Sequence, residues 1–166
     1  MRKYYLAYGS NLSVAQMLRR CPFAVYVGKG EIKDYRLLFK GSKTGSYLTI
    51  EKKKGGTVPV LVWEISTEDE KNLDIYEGYP SFYYKKEIEI EVESFVENVP
   101  PAMVKALVYI MDEQRAKGIP SIHYYDTCLE GYCRFGFEIE ILEQALKDSA
   151  GVRMAEKLLK EIRNYV

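Results

Sequence analysis

The chain has few of the residues that build metal sites and disulfide frameworks. Its 166 residues include one histidine, His123, and three cysteines, Cys21, Cys128 and Cys133. An odd number of cysteines without a CxxC pair argues against a disulfide framework or a zinc site. One histidine is too few to complete most metal sites with these cysteines. We therefore expect a protein that needs neither a metal nor another cofactor.

The chain also lacks an excess of charge and any long apolar segment. Lys and Arg together number 24, as do Asp and Glu, so the formal net charge is zero, which argues against a nucleic-acid-binding protein. No apolar run approaches the roughly 18 residues that indicate a membrane-spanning helix. The start, Met1-Arg2-Lys3, is not followed by the apolar core and cleavage site of a secretory signal. We expect a cytoplasmic protein with no nucleic-acid partner and no membrane partner.

Composition and pattern favour a single α+β domain over residues 1–166. Hydrophobic residues make up 47% and charged residues 29% of the chain, which is an ordinary globular balance. The predicted strands are residues 4–7, 23–27, 31–40, 47–51, 57–65, 86–96 and 103–111, with a hairpin turn at 53–56. The predicted helices are residues 13–20, the segment from Ser66 to Gly78, and residues 121–165 with breaks near Gly136 and Gly151. We expect a small, mixed, mostly antiparallel curled β-sheet or barrel with inserted helices and a helical C-terminal third.

The most informative short motif is Tyr8-Gly9-Ser10-Asn11-Leu12, between the first strand and the first helix. A turn from strand to helix leaves unpaired backbone N–H groups, and these suit an anion. Gly9 would permit a positive φ and removes a side chain from the approach path. Ser10, Asn11 and Ser13 are good N-cap residues. On these residues alone, a plain capped turn is the favoured interpretation, since short motifs often arise by chance.

Glu77 is the second candidate, in the last turn of a helix that Gly78 stops. The negative end of the helix dipole disfavours a charged carboxylate there. Burial by aromatic neighbours would also raise the pKa of that carboxylate; these neighbours are Tyr76, Tyr79, Phe82, Tyr83 and Tyr84. A raised pKa suits a general acid/base near neutral pH. On local sequence alone, a solvated glutamate at a helix end is the favoured interpretation.

Three other patterns carry less weight. His123 and Cys128 are five residues apart, so on a helix they would point about 140° apart and would not face each other. The glycine-rich segments 28–30 and 41–46 lack the full phosphate-loop pattern. Most of the fifteen tyrosines are expected to be half-buried strand residues, although many could line a pocket for a small polar ligand.

Taken together, the motifs resemble the γ-glutamylcyclotransferase family, part of a superfamily that includes γ-glutamylamine cyclotransferases and AIG2-like proteins. Tyr8-Gly9-Ser10-Asn11-Leu12 lies near the N-terminus, and Leu73-Asp74-x-x-Glu77-Gly78 follows a strand ending in Val62-Trp63-Glu64. Three further segments occur in family order: Tyr35-Arg36-Leu37, Leu48-Thr49-Ile50 and Pro120-Ser121-x-x-Tyr124. The resemblance therefore covers nearly the whole chain, and it outweighs the structural interpretations of the loop and of Glu77.

The resemblance implies an intramolecular reaction. The substrate's α-amine attacks its own γ-glutamyl carbonyl and releases 5-oxoproline and a free amino acid or amine. Glu77 would be the general acid/base, Tyr124 would contact the substrate, and the γ-glutamyl moiety would be bound by Tyr8, Gly9, Ser10, Asn11 and Leu12. Tyr125, adjacent to Tyr124, is an alternative for that contact. Whether the loop N–H groups bind the oxyanion or the substrate carboxylate stays open.

The substrate and the partners are less defined. The resemblance does not extend through residues 112–119, so the leaving-group side is open. Two alternatives keep the reaction and change the substrate to a γ-glutamylamine or a γ-glutamyl-protected biosynthetic intermediate. The long helical tail after Ser121 favours γ-glutamyl amino acids. Further alternatives are a non-catalytic small-molecule-binding module and a different amine-transfer enzyme on the same fold. The expected partner is a small-molecule γ-glutamyl substrate, with a homodimer as one option for assembly.

Overall fold

A curled mixed sheet forms the body of the protein. The computed structural model describes residues 1–42 and 44–165. Its strands are β1 (Arg2–Ala7), β2 (Val25–Ser42), β3 (Gly45–Ser66), β4 (Tyr83–Ser94), β5 (Ala102–Met111) and β6 (Ala116–Lys117). Its α-helices are α1 (Val14–Arg20), α2 (Thr67–Glu77), α3 (Ile122–Phe135), α4 (Ile139–Ala150) and α5 (Val152–Tyr165), and a 3-10 turn, Ser10–Leu12, precedes α1.

The sheet closes into a barrel. The strand order is β3-β1-β5-β4-β2-β6, and β2 also pairs with β3. The β1–β5 pair is parallel and the other pairs are antiparallel. The predicted α+β class, with a curled and mostly antiparallel sheet, is therefore confirmed. The three helices after Ser121, with breaks at Gly136 and Gly151, are also confirmed.

Two long strands replace four predicted short ones. β2 runs without a break through the glycine-rich segment 28–30, and the predicted hairpin at 53–56 is wrong. The pairing jumps from Lys33↔Thr57 to Tyr35↔Lys52, so residues 53–56 form a bulge opposite Asp34. The turn between β2 and β3 instead joins Ser42 to Gly45. Pairing continues on both sides of the bulge because both flanks contribute buried apolar residues to one core. Of the discounted 41–46 segment, residue 43 lies outside the described residues.

Helix α2 is held at both ends. Ser66 caps it: the Ser66 Oγ accepts a hydrogen bond from Asp69 N at 3.1 Å, and Asp69 Oδ2 accepts one from Ser66 N at 2.9 Å. Leu73 is fully buried, whereas Tyr76, expected to point inward, is 46% exposed. Gly78 ends the helix with φ +64°, a conformation that favours glycine. Glu77 is thereby fixed as the last helical residue.

The loop after β1 is held in place by a helix cap and by a hydrogen bond from β3. Ser13 caps α1 by accepting a hydrogen bond from Gln16 N at 3.3 Å. The fully buried indole of Trp63 donates its Nε1–H to Asn11 O at 3.1 Å. A buried backbone carbonyl needs a hydrogen-bond donor, so the bond from Trp63 on β3 fixes the position of the loop relative to the barrel.

Helix α4 covers part of β2. Phe39 N donates a hydrogen bond to Ser149 Oγ at 2.8 Å, which satisfies a strand N–H without another strand. Throughout residues 1–42 and 44–165, no helix combines the length and apolar character needed to cross a bilayer.

Ser66→Ala tests the cap of α2. Losing the side-chain acceptor for Asp69 N should lower the free energy of unfolding by about 1 kcal/mol, measured by urea denaturation. Ser81→Ala is the matched control, because Ser81 is exposed and caps no helix. Equal stability of Ser66→Ala and the parent protein would contradict the role of the capping box.

Candidate active site

One cavity of about 430 Å³ opens where the β1–α1 loop meets the C-terminal end of α2. The tip of the β2–β3 hairpin and the start of β4 complete its wall. It is lined by Tyr5, Leu6, Tyr8, Gly9, Ser10, Asn11, Ser42, Thr44, Tyr47, Leu48, Ile75, Tyr76, Glu77, Gly78, Phe82, Tyr83, Tyr109 and Tyr124. The volume is in the range of small-molecule sites.

The loop lining the cavity is rigidly held through the side chain of Asn11. Asn11 is 3% exposed; its Nδ2 donates to Tyr5 OH at 3.0 Å, and its Oδ1 accepts from Arg20. Arg20 also lies over the Tyr76 ring, 3.4 Å from its centroid. Ser10 Oγ lies 3.3 Å from Tyr76 OH, which ties the loop to α2. The Asn11 side chain is thus committed to holding the loop in place.

The loop also presents backbone donors. Leu12 N and Ser13 N donate to Gly9 O and Ser10 O, each at 3.0 Å. Within the described part of the chain, the N–H groups of Gly9, Ser10 and Asn11 donate to no backbone acceptor. A ligand in the cavity can therefore receive them.

Glu77 is the acidic group of the cavity. Burial raises the pKa of Glu77 from its ordinary 4.5 to about 7, and the Arg20 cation opposes that rise. No described residue donates a hydrogen bond to the Glu77 carboxylate, which would also have lowered its pKa. The carboxylate therefore exists in both protonation states near neutral pH and is free to exchange a proton with a ligand.

Three tyrosine hydroxyls of the cavity are held in their neutral form. Burial raises the pKa values of Tyr8, Tyr83 and Tyr124 well above the ordinary value of 10. Each is tied to a strand: Tyr8 OH donates to Tyr109 O at 2.6 Å, Tyr83 OH donates to Leu48 O at 2.8 Å, and Tyr124 OH accepts from Leu48 N at 3.0 Å. They can position a ligand by hydrogen bonds, but they are poor bases at neutral pH.

The structure brings most of the predicted site residues together. Tyr8, Gly9, Ser10, Asn11, Glu77 and Tyr124 all line this cavity. Leu12 is fully buried and is not part of the lining. Tyr125 is also fully buried and stacks on Phe39, with ring centroids 5.9 Å apart. Of the two adjacent tyrosines, Tyr124 is the one that faces the cavity.

Tyrosines from distant strands were missed. Tyr5, Tyr47 and Tyr109 line the cavity beside Tyr8, Tyr76, Tyr83 and Tyr124. The unusual number of tyrosines was the available signal, but composition does not show which of them converge. Only strand pairing brings β1, β3, β4 and β5 around one opening.

The backbone at Gly9 passes close to the side chains of Tyr124 and Leu48. Its φ is −124°, so the backbone does not adopt the positive φ that glycine would permit. A Cβ at this position would lie 3.1 Å from Tyr124 OH and 3.6 Å from Leu48 Cβ. The hydroxyl is held by Leu48 N, so it cannot withdraw without losing a hydrogen bond. Any side chain here would force Tyr124 to shift, because the backbone passes directly beneath it.

The histidine and cysteines lie apart from the cavity. His123 is exposed and Cys128 is buried, on different faces of α3, as their spacing predicts. Burial raises the pKa of Cys128 to about 12, which makes it a poor nucleophile. Among the described residues, no three His, Cys, Asp or Glu side chains are grouped so as to hold a metal ion.

Comparison with known proteins points to one family. A family model described as Gamma-glutamyl cyclotransferase, AIG2-like matches residues 5–127. A gamma-glutamylcyclotransferase of Bos taurus is 35% identical over 87 residues, which cover 48% of this chain and 46% of the bovine protein. The match thus spans about half the length of that relative.

Solved structures share the fold over a larger part of the chain. A structure of a gamma-glutamyl cyclotransferase superposes with a TM-score of 0.73 at 25% identity, covering 87% of this chain and 86% of that chain. The structure of an uncharacterized protein from Homo sapiens gives a TM-score of 0.71 at 26% identity, with the same two coverages.

A double-mutant cycle tests the contact between Gly9 and Tyr124. Gly9→Ala should lower the free energy of unfolding by about 1 kcal/mol through overpacking. The loss should be smaller in a Tyr124→Phe background, which removes the contacting oxygen. Tyr125→Phe is the matched control, and Gly9→Ala should be additive with it. Additivity with Tyr124→Phe, measured by urea denaturation, would contradict the contact.

The raised pKa of Glu77 predicts a pH-dependent stability difference. Between pH 4.5 and 7 the folded state binds this proton more tightly than the unfolded state, so its contribution is lost as pH rises. Relative to Glu77→Gln, the parent protein should lose at most about 3 kcal/mol between pH 4.5 and pH 8. Urea unfolding of both proteins at the two pH values measures this difference. Glu68→Gln, at the exposed start of α2, should show a nearly constant difference; a constant difference for Glu77→Gln would refute the burial of a titrating carboxylate.

Proposed function

Since the chain belongs to the gamma-glutamyl cyclotransferase, AIG2-like family, we propose that it catalyses the cyclisation of γ-glutamyl compounds. The substrate's α-amine attacks its γ-carbonyl, the C–N bond to the leaving group breaks, and 5-oxoproline and an amino acid or amine are released. The observation that carries this proposal is the shared cavity of Glu77 and the loop of Tyr8 to Asn11, which are distant in sequence.

The reaction requires little chemistry beyond positioning and proton transfer. Nucleophile and electrophile belong to one molecule, and orienting them for ring closure can supply about 7–11 kcal/mol of a barrier. A closed cavity wall of tyrosines and Leu48 restricts the conformations of a bound γ-glutamyl chain. No protein nucleophile is needed.

Glu77 can carry out both proton transfers. As a carboxylate it takes a proton from the substrate's α-ammonium, and as a carboxylic acid it returns a proton to the departing nitrogen. A pKa of about 7 makes neither transfer strongly uphill near neutral pH. Because no described residue forms a hydrogen bond that stabilises the charge of Glu77, the side chain has no such bond to break when it reacts.

The loop would bind the negative groups of the substrate. Gly9, Ser10 and Asn11 line the cavity, and their N–H groups have no backbone acceptor in the described part of the chain. They are suited to the α-carboxylate or to the oxyanion that forms on the γ-carbon. The hydroxyl of Tyr124, aligned by Leu48 N, adds a neutral contact directly beside the loop. Leu12 would support the loop by packing beneath it.

Glu77 also distinguishes the enzyme from a binding module. Ionising a buried carboxylate costs stability, and a protein that only bound a γ-glutamyl compound would gain little from that cost. The carboxylate therefore favours catalysis over binding alone.

Glu77→Gln tests the proposal directly. The amide keeps the size of the side chain and cannot accept the proton, so kcat for 5-oxoproline formation should fall by about 10²–10⁴. The parent protein, Glu77→Gln and Glu68→Gln are incubated with a panel of γ-glutamyl amino acids, and 5-oxoproline is quantified by chromatography.

Glu68→Gln is the control variant, and two results would contradict the proposal. Glu68 is exposed at the far end of α2, so Glu68→Gln should retain activity. A folded Glu77→Gln protein with near-normal turnover would exclude the acid/base role. A parent protein that forms no 5-oxoproline from any substrate of the panel would exclude the proposed function.

A further inference from the structure

The segment after β5 is fixed beside the cavity. Arg115 N donates to Asp112 O at 3.1 Å, closing a turn at the end of β5. The next residues form β6, which pairs with β2 through Lys40↔Lys117. Gly118 N then donates to Phe39 O at 3.0 Å. This part of the chain, through which the family resemblance does not extend, is therefore held between β5 and the β2–β3 hairpin.

Arg115 reaches the cavity wall through Phe82. The half-buried guanidinium lies over the Phe82 ring, 4.4 Å from its centroid. Phe82 lines the cavity and lies against the end of α2, where a Cβ on Gly78 would come within 3.1 Å of Phe82 Cβ. Glu77 and Phe82 both line the cavity, and Arg115 lies directly behind this lining through its contact with the Phe82 ring.

The charge of Arg115 is not neutralised by the described part of the protein. Among residues 1–42 and 44–165, no carboxylate lies within salt-bridge distance of its guanidinium. The neighbouring Glu113 carboxylate accepts a hydrogen bond from Tyr84 OH instead. Arg115 is therefore available to an anion that approaches the cavity opening.

Two buried or partly buried cations near the cavity, among the residues that the structure describes, are already engaged. Arg20 donates to Asn11 and to Gln16 Oε1, the latter at 3.2 Å. Lys40 donates to Glu51 Oε2 at 2.5 Å and to Glu113 O at 2.6 Å. These cations serve the protein itself and are poor candidates for a ligand.

We propose that Arg115 binds a carboxylate on the leaving group, so that the preferred substrates are γ-glutamyl amino acids rather than γ-glutamylamines. The inference rests on the proposed function. With the γ-carbonyl at Glu77, the amide substituent extends past Phe82 and Tyr47 towards the opening. There the leaving α-carboxylate meets the guanidinium, whose planar donors match a carboxylate in a paired geometry.

The test compares two substrates that differ only in this carboxylate. γ-Glutamyl-alanine and γ-glutamyl-ethylamide share the reacting groups and the methyl group, and 5-oxoproline is measured for both. The parent protein should prefer γ-glutamyl-alanine in kcat/KM. Arg115→Met keeps a long side chain over Phe82 but removes the charge. It should lower kcat/KM for γ-glutamyl-alanine by about 10–100-fold, mainly through KM, and change γ-glutamyl-ethylamide by less than about 3-fold.

Two further variants separate recognition of the leaving-group carboxylate from effects that would change turnover of both substrates. Arg115→Lys should recover part of the preference because it keeps a cation. Lys117→Met removes an exposed cation two residues along the same segment and should leave both substrates unaffected. Equal losses on both substrates in Arg115→Met, or a parent protein that does not prefer γ-glutamyl-alanine, would overturn the assignment.

A binding measurement distinguishes this inference from the proposed function. N-glutaryl-alanine and N-glutaryl-ethylamide lack the α-amine and cannot cyclise, so calorimetry reports their binding without turnover. Tighter binding of N-glutaryl-alanine that disappears in Arg115→Met supports carboxylate recognition even if no 5-oxoproline forms. Equal binding of the two ligands by the parent protein refutes it even if cyclisation is observed.

Discussion

The antiparallel pairing of β1 with β3 is the constraint on which the cavity depends. Register Arg2↔Ser66 places the start of α2 beside the start of β1. Helix α2 then runs back along β1, with Lys3 Nζ 2.8 Å from Glu70 Oε2 near one end and Ser10 Oγ 3.3 Å from Tyr76 OH near the other.

The lengths of the two elements match. The 11 residues of α2 rise about 16 Å along the helix axis, and β1 rises about 17 Å from Arg2 to Ala7. The last residue of the helix, Glu77, therefore arrives level with the loop that follows the strand. A helix one turn shorter would leave the carboxylate below the cavity.

The same arrangement explains why the Glu77 carboxylate lowers the stability of the folded protein and yet suits proton transfer. The capping box stabilises the start of α2, whereas its last residue is a partly buried acid with a raised pKa. The raised pKa of Glu77 lowers the stability of the folded protein above neutral pH and is also what suits the residue to proton transfer. The hydrogen bonds from Arg20 to Asn11 and from Trp63 to Asn11 O hold the facing loop rigid, so that the cavity is formed before any ligand enters.

Much of this protein was predictable from local sequence. Hydrophobic alternation indicated β4 and β5, capping and stop residues indicated α1 and α2, and glycines at 136 and 151 indicated the breaks among the C-terminal helices. The paired motifs around Gly9 and Glu77 indicated where to look for chemistry. Such signals depend on a few neighbouring residues, which is why they are visible in one sequence.

Tertiary structure decided the features that depend on contacts between residues far apart in the sequence. The lysine- and glycine-rich segment 53–56 has turn chemistry but forms a bulge, because the strands gain more by pairing on both sides of it. The sequence indicated that Gly9 would permit a positive φ, whereas in the structure the glycine matters because Tyr124 from a distant helix lies directly above it. Seven tyrosines lining the cavity, and Arg115 beside Phe82, come from segments that only the closed barrel brings together. The sequence by itself determined the elements and their order; the register between strands, which depends on contacts across the whole chain, decided which side chains meet.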